Sequence, residues 1–94
     1  MSVIALPLRS FPLGRTLMTA RVSREIPLEV AVRLMGRHHR CDWGDVCAED
    51  AQANEDALAS GDRILSIYEI AEGRVYILTE HDRSTTTVLF AEEY

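Results

Sequence analysis

The sequence predicts a small α+β domain: an antiparallel sheet of three to four strands with two helices packed on one face. Two observations carry this. Residues 27–39 and 46–59 repeat apolar positions at i, i+3 and i+4 spacing. Residues 63–70, 74–80 and 85–90 are rich in β-branched, aromatic and other large apolar residues and are separated by short turns. With 94 residues, of which 47% are apolar and 27% charged, one compact core is the ceiling. The chain therefore reads as a single domain over 1–94, with no repeat and no low-complexity segment.

Met1–Pro12 is apolar with two prolines and reads as an extended arm packed on the domain or as an edge strand. A short strand is expected over 15–20 after Gly14, followed by a turn capped by Ser23. The first helix opens with Pro27, which costs nothing at the first helical position because that N–H is unpaired anyway. Leu28, Ala31, Val32, Met35 and His39 form its apolar stripe, leaving His38 exposed. Asp42-Trp43-Gly44 breaks the pattern, and a second helix runs from about Asp45 to Ala59. Cys47, Ala51, Asn54 and Leu58 make its inner stripe, with Asn54 expected to bond to main chain. Ser60-Gly61 is its stop. The strands 63–70 and 74–80 are joined at Ala71-Glu72-Gly73, and 85–90 follows the turn His81–Ser84.

Charge is unevenly distributed. Residues 1–40 hold seven arginines against two carboxylates; residues 41–94 hold three arginines against thirteen carboxylates, for a net charge of −5. There is no lysine, and the seven carboxylates from Asp42 to Asp62 are interrupted by no arginine. An acidic surface of this kind is repelled by nucleic-acid phosphates and attracted to basic proteins. No stretch approaches the roughly 20 apolar residues of a membrane span. The apolar N-terminus lacks a basic leader and a small-residue cleavage site, so a cytoplasmic location with Cys41 and Cys47 reduced is expected.

Four constellations bear on chemistry. His38, His39, Cys41 and Cys47 are metal-capable, but adjacent helical histidines point about 100° apart, and no metal or other cofactor is expected. A cysteine nucleophile would need a base such as His39 and an oxyanion site, and no suitable loop accompanies it. Glu80–Ser84 is a polar turn whose Asp and Ser are suited to capping their own backbone. Trp43 is a core anchor or an exposed hot-spot aromatic. No phosphate-binding loop, HExxH or CxxC pair occurs, and the basic half carries Phe11 as its one aromatic and no groove-reading motif.

Three segments resemble a known family. They are Asp42-Trp-Gly-Asp-Val-Cys-Ala-Glu-Asp50 with Asn54, Arg63–Tyr68, and Ile77-Leu-Thr-Glu-His-Asp-Arg-Ser84 with Thr86-Thr-Val-Leu-Phe-Ala-Glu-Glu-Tyr94. The pattern is similar to that of small proteins carried on bacterial plasmids and genomic islands, which reads DWG…ED…N, ITE-x-DRS-x-TT and a C-terminal EEY. Phe90-Ala91 stands where that family usually has Leu-Pro. Its members are often labelled type I restriction modification subunits, a label that this short chain without a nucleoside-donor loop does not support.

The resemblance implies a mobile-element context, in which short acidic proteins frequently counter host defence. The expectation is a non-enzymatic binding module of the anti-CRISPR or anti-restriction type that inhibits a host defence complex. Its partner would be a basic surface of a nucleic-acid-processing defence complex, with no direct nucleic-acid or membrane binding. The candidate partner-binding residues are Asp42, Trp43, Asp45, Glu49, Asp50, Asp56, Asp82 and Arg83. An accessory role in plasmid or genomic-island maintenance is the alternative, and a metal- or Cys-dependent small enzyme the third. An unpaired edge strand leaves homodimerisation open.

Overall fold

The computed structural model describes residues 1–6 and 8–94. Along the chain run β1 (Arg15–Met18), α1 (Ala20–Glu25), α2 (Leu28–His39), α3 (Ala48–Ser60), β2 (Ile64–Ile70), β3 (Gly73–Thr79) and β4 (Thr85–Phe90), then a 3₁₀ turn over Ala91–Glu93. The strands form one sheet in the order β1-β4-β3-β2. The fold is α+β, with β2, β3 and β4 forming the antiparallel meander read from the sequence.

Two features correct the expected architecture. The sheet is mixed, because β1 lies parallel to β4 with Arg15 opposite Thr85 and Met18 opposite Val88. A third helix, α1, occupies the expected turn. The cause of both lies at Thr19, whose N–H donates to Val88 O at 3.1 Å and so closes the strand ladder. Its side-chain oxygen accepts from Val22 N at 3.1 Å and opens α1. Strand 15–20 therefore stops at Met18.

The main core packs Val22 and Ile26 of the α1 segment and Ala31 and Leu34 of α2 on Tyr68, Val75, Ile77, Val88 and Phe90 of the sheet. Each such side chain removed from water contributes about 1.5–3 kcal/mol. The buried face of α2 is Ala31, Leu34 and His38. Leu28 and Val32, expected on it, are 62% and 61% exposed. The expectation for the histidines is also corrected: His38 is fully buried and His39 only partly. One helical residue is a 100° rotation, and this one brings His38 to two hydroxyl partners in the sheet.

The helix α2 ends in a Schellman motif, with Cys41 N–H donating to His38 O and Asp42 N–H to Arg37 O. Cys41 takes the left-handed position, φ 67°, that usually falls to glycine. The helix α3 begins three residues later than expected. Cys47 is its cap rather than part of an inner stripe, and its exposed Sγ accepts from Asp50 N at 3.4 Å. Gly61 ends it in the left-handed conformation, as the sequence indicates. A second cluster of Phe11, Trp43, Ala57 and Ile64 joins α3 to the sheet. The described residues of the arm before Phe11 form no strand and lie exposed, not packed on the domain. Among them, Arg9 forms an ion pair with Glu55 at 2.6 Å. No helix among the described residues is long and apolar enough to cross a membrane.

Candidate functional site

The residues singled out by sequence gather around one edge of the sheet. Strand β2 is an edge strand, and its outward main-chain groups at Leu65, Ile67 and Glu69 need partners. The turn after α2 supplies them. Trp43 O accepts from Ile67 N at 3.1 Å, and Asp45 N donates to Ile67 O at 2.7 Å. The Asp45 carboxylate accepts from Glu69 N at 3.1 Å. Asn54 on α3 closes the row with two bonds to Leu65: its Nδ2 donates to the carbonyl at 2.8 Å and its Oδ1 accepts from the N–H at 3.1 Å. Gly44 lies so close that a Cβ there would come within 2.0 Å of Ile67 O. Asp42, Trp43, Gly44, Asp45 and Asn54 together form a protein-made cover for an exposed edge.

Each member has a further anchor. Asp42 pairs with Arg37 at 2.7 Å, and that guanidinium beside it holds its carboxyl below the usual carboxylate range. Tyr68 donates its hydroxyl to Asp42 O at 2.6 Å, and burial pushes its pKa up to about 12. Trp43 is 7% exposed, which settles it as a core anchor. Its indole N–H donates to Glu55 at 2.9 Å. Glu55 also holds Arg9, which lowers its pKa, a role that its sequence context does not mark. Only its place four residues before Ala59 on an otherwise acidic helix was available as a signal, and that does not distinguish it from its neighbours.

Of Asp82 and Arg83, at the β3–β4 turn, Arg83 is joined to α3. The Asp82 carboxylate accepts from Ser84 N at 3.0 Å, the capping role open to it in the sequence, and this holds its pKa down. Arg83, at φ 60°, donates to Ala57 O at 2.8 Å and Asp62 O at 2.7 Å, clamping the C-terminal end of α3. A cation here also meets the negative end of the helix dipole. Glu49, Asp50 and Asp56 lie exposed on α3. Asp56 accepts from Gln52 at 3.0 Å, and among the described residues none of the three is ion-paired. Of the eight candidates, these three are the ones with no part in holding main chain or core together.

A buried polar chain runs through the core that the sequence did not reveal. Thr86 Oγ1 donates to Leu13 O at 2.7 Å, so it accepts from Thr79 Oγ1, also at 2.7 Å. Thr79 in turn accepts from His38 Nε2–H at 2.8 Å, which leaves Nδ1 to accept from Ser66 Oγ at 2.5 Å. Proton counting thus assigns His38 as the neutral Nε2–H tautomer. Burial lowers its pKa from 6.5 to about 3, in keeping with that state. Ser66 and His38 have the donor–acceptor geometry of a nucleophile and its base, but both are 0% exposed, so no substrate reaches them. Among the described residues no three His, Cys, Asp or Glu side chains converge as a metal site, and both cysteines are free.

No family model, curated protein or solved structure matches this chain.

Proposed function

We propose that this protein is a non-enzymatic binding module, encoded on a mobile element, that blocks a basic surface of a nucleic-acid-processing defence complex in the manner of anti-CRISPR and anti-restriction proteins. The observation that carries the reading is the division of labour among the carboxylates. Asp42, Asp45, Glu55 and Asp82 serve the fold, whereas Glu49, Asp50 and Asp56 are exposed on α3 and, among the described residues, have no ion pair and no side-chain bond to main chain. Like charges on one helix cost a few tenths of a kcal/mol each, so folding alone does not call for them. Facing a cationic channel, they speed encounter and compete with phosphate. The one nucleophile–base geometry in the core is sealed from solvent, which favours binding over catalysis.

The test is capture from a lysate of a host carrying CRISPR or restriction complexes, with mass-spectrometric identification of the retained complex. Retention of a defence complex that weakens as salt rises to about 0.5 M is expected. A Glu49→Arg, Asp50→Arg, Asp56→Arg variant should remain folded and lose capture. Capture by the folded variant at wild-type level would refute the role of α3, and retention of no defence complex would refute the target class.

A further inference from the structure

The opposite edge of the sheet is as open as the β2 edge is covered. β1 pairs with β4 on one side only, all four of its residues are exposed, and Thr16 and Met18 present their main-chain groups to solvent. Beside it lies a groove of about 310 Å³ between β1 and α2, lined by Thr16, Met18, Leu28, Val32 and Met35 among others. Leu28 and Val32 are the two α2 residues that the core leaves out. The lining carries no charged side chain. A free strand edge next to an apolar trough is the geometry of strand addition: main chain pairs with the edge while alternate side chains enter the trough.

The chain carries a segment with the matching chemistry. Met1, Val3, Ile4, Leu6 and Leu8 are between 76% and 117% exposed, and no acid or arginine occurs before Arg9. Val3 and Ile4 favour extended backbone. The stretch is apolar on both of its faces, which suits an added strand with the groove beneath it and Leu17, 37% exposed, close by. Its own groove is out of reach. Arg9 is held by Glu55 on α3, at the β2 edge. From there the groove lies across the whole sheet, three strand spacings or about 14 Å, with the offset of α3 in addition. Leu6, three residues from Arg9, spans at most about 11 Å even when fully extended, so the Val3–Leu6 stretch as a whole cannot lie along its own β1 while Arg9 stays on Glu55.

We infer that residues Val3–Leu6 of one copy add as a strand to β1 of a second copy and fill its β1–α2 groove, reciprocally, forming a two-fold arm-exchanged dimer. An isologous exchange of this kind satisfies both grooves and closes the assembly. The contact is apolar, so it is insensitive to salt, unlike capture by the carboxylates of α3, on which it does not depend.

Sedimentation equilibrium and light scattering of the full chain test this at concentrations up to about 100 µM. The expected mass is twice the 10.6 kDa of the chain. Ile4→Asp with Leu6→Asp in the arm, and separately Val32→Asp in the groove, should each raise the dissociation constant at least about thirtyfold. All three positions are exposed in the protomer, so circular dichroism should show both variants folded. Mixing the arm variant with the groove variant should restore a dimer, because one intact arm then meets one intact groove. A photo-crosslinker at position 4 should join to α2 of another chain. A wild-type monomer throughout, a dimer that survives both variants, no recovery on mixing, or a crosslink within one chain would each overturn the proposal.

Discussion

His38 of α2 and Ser66 of β2 share a hydrogen bond of 2.5 Å in a part of the core that has no solvent exposure at all. Around them sit Thr79 on the other ring nitrogen and Phe11 and Trp43 with ring centroids 5.2 and 6.1 Å away, while the neighbouring His39 adds to burial in lowering the His38 pKa. The imidazole is therefore held neutral by burial, and its chain of hydroxyls runs in one direction to Leu13 O.

Stability should depend on pH in a window set by this residue. The folded pKa of about 3 lies below the unfolded 6.5, so between those values the unfolded state binds more protons. Stability is full above about 6.5 and is lost as pH falls, at up to about 1.4 kcal/mol per pH unit. Asp42, Glu55 and Asp82 also have depressed pKa values and add acid sensitivity, but only below their ordinary values of 3.8 to 4.5. Urea unfolding at pH 7, 6 and 5 isolates the histidine. An unchanged midpoint across that range would contradict a buried neutral His38.

Asn54→Ala should cost about 3 kcal/mol. The residue is 5% exposed, and its loss strands both the N–H and the carbonyl of Leu65. Denaturant unfolding measures the loss. Uncovering the β2 edge should also raise aggregation, visible as light scattering during refolding.

Gly44→Ala should destabilise by at least about 2 kcal/mol, since an alanine is strained at φ 73° and its Cβ would overlap Ile67 O and the Tyr68 ring. A fall in Tm with an unchanged far-ultraviolet spectrum near room temperature is expected. A wild-type Tm would mean that the 43–45 segment does not pair with β2.

Arg83→Met should cost about 2 kcal/mol and loosen the end of α3, by removing the donors to Ala57 O and Asp62 O. Native-state hydrogen exchange should then be faster at the last turn of α3 than at its first. Uniform exchange along α3 would show that the clamp does not stabilise this end.

Most of the elements were legible in the sequence because their causes are local. Pro27 before a 3.6-residue repeat, Gly61 after one, and β-branched runs on either side of Ala71–Glu72 each act within a few residues of themselves. So does Asn54, a lone amide among apolar positions, which had to find main chain. α1 escaped because six residues are too few to show a period, and its start depends on one Thr19 side chain. What the tertiary structure decided alone is where local signals were nearly balanced. His38 and His39 differ by one helical step, and hydrophobicity does not choose between them. The choice fell to Ser66 and Thr79, 28 and 41 residues further along the chain, which pair both nitrogens of the fully buried ring, whereas the half-buried His39 keeps an unpartnered Nδ1. The parallel pairing of β1 with β4 has the same origin: it is made by main-chain bonds to residues about 70 positions away, Arg15 N–H to Ser84 O and Thr19 N–H to Val88 O, and no residue between Arg15 and Met18 encodes it. For the same reason Asp45 and Glu49, four residues apart in one acidic run, ended in different roles, one completing a strand edge and the other left in solvent.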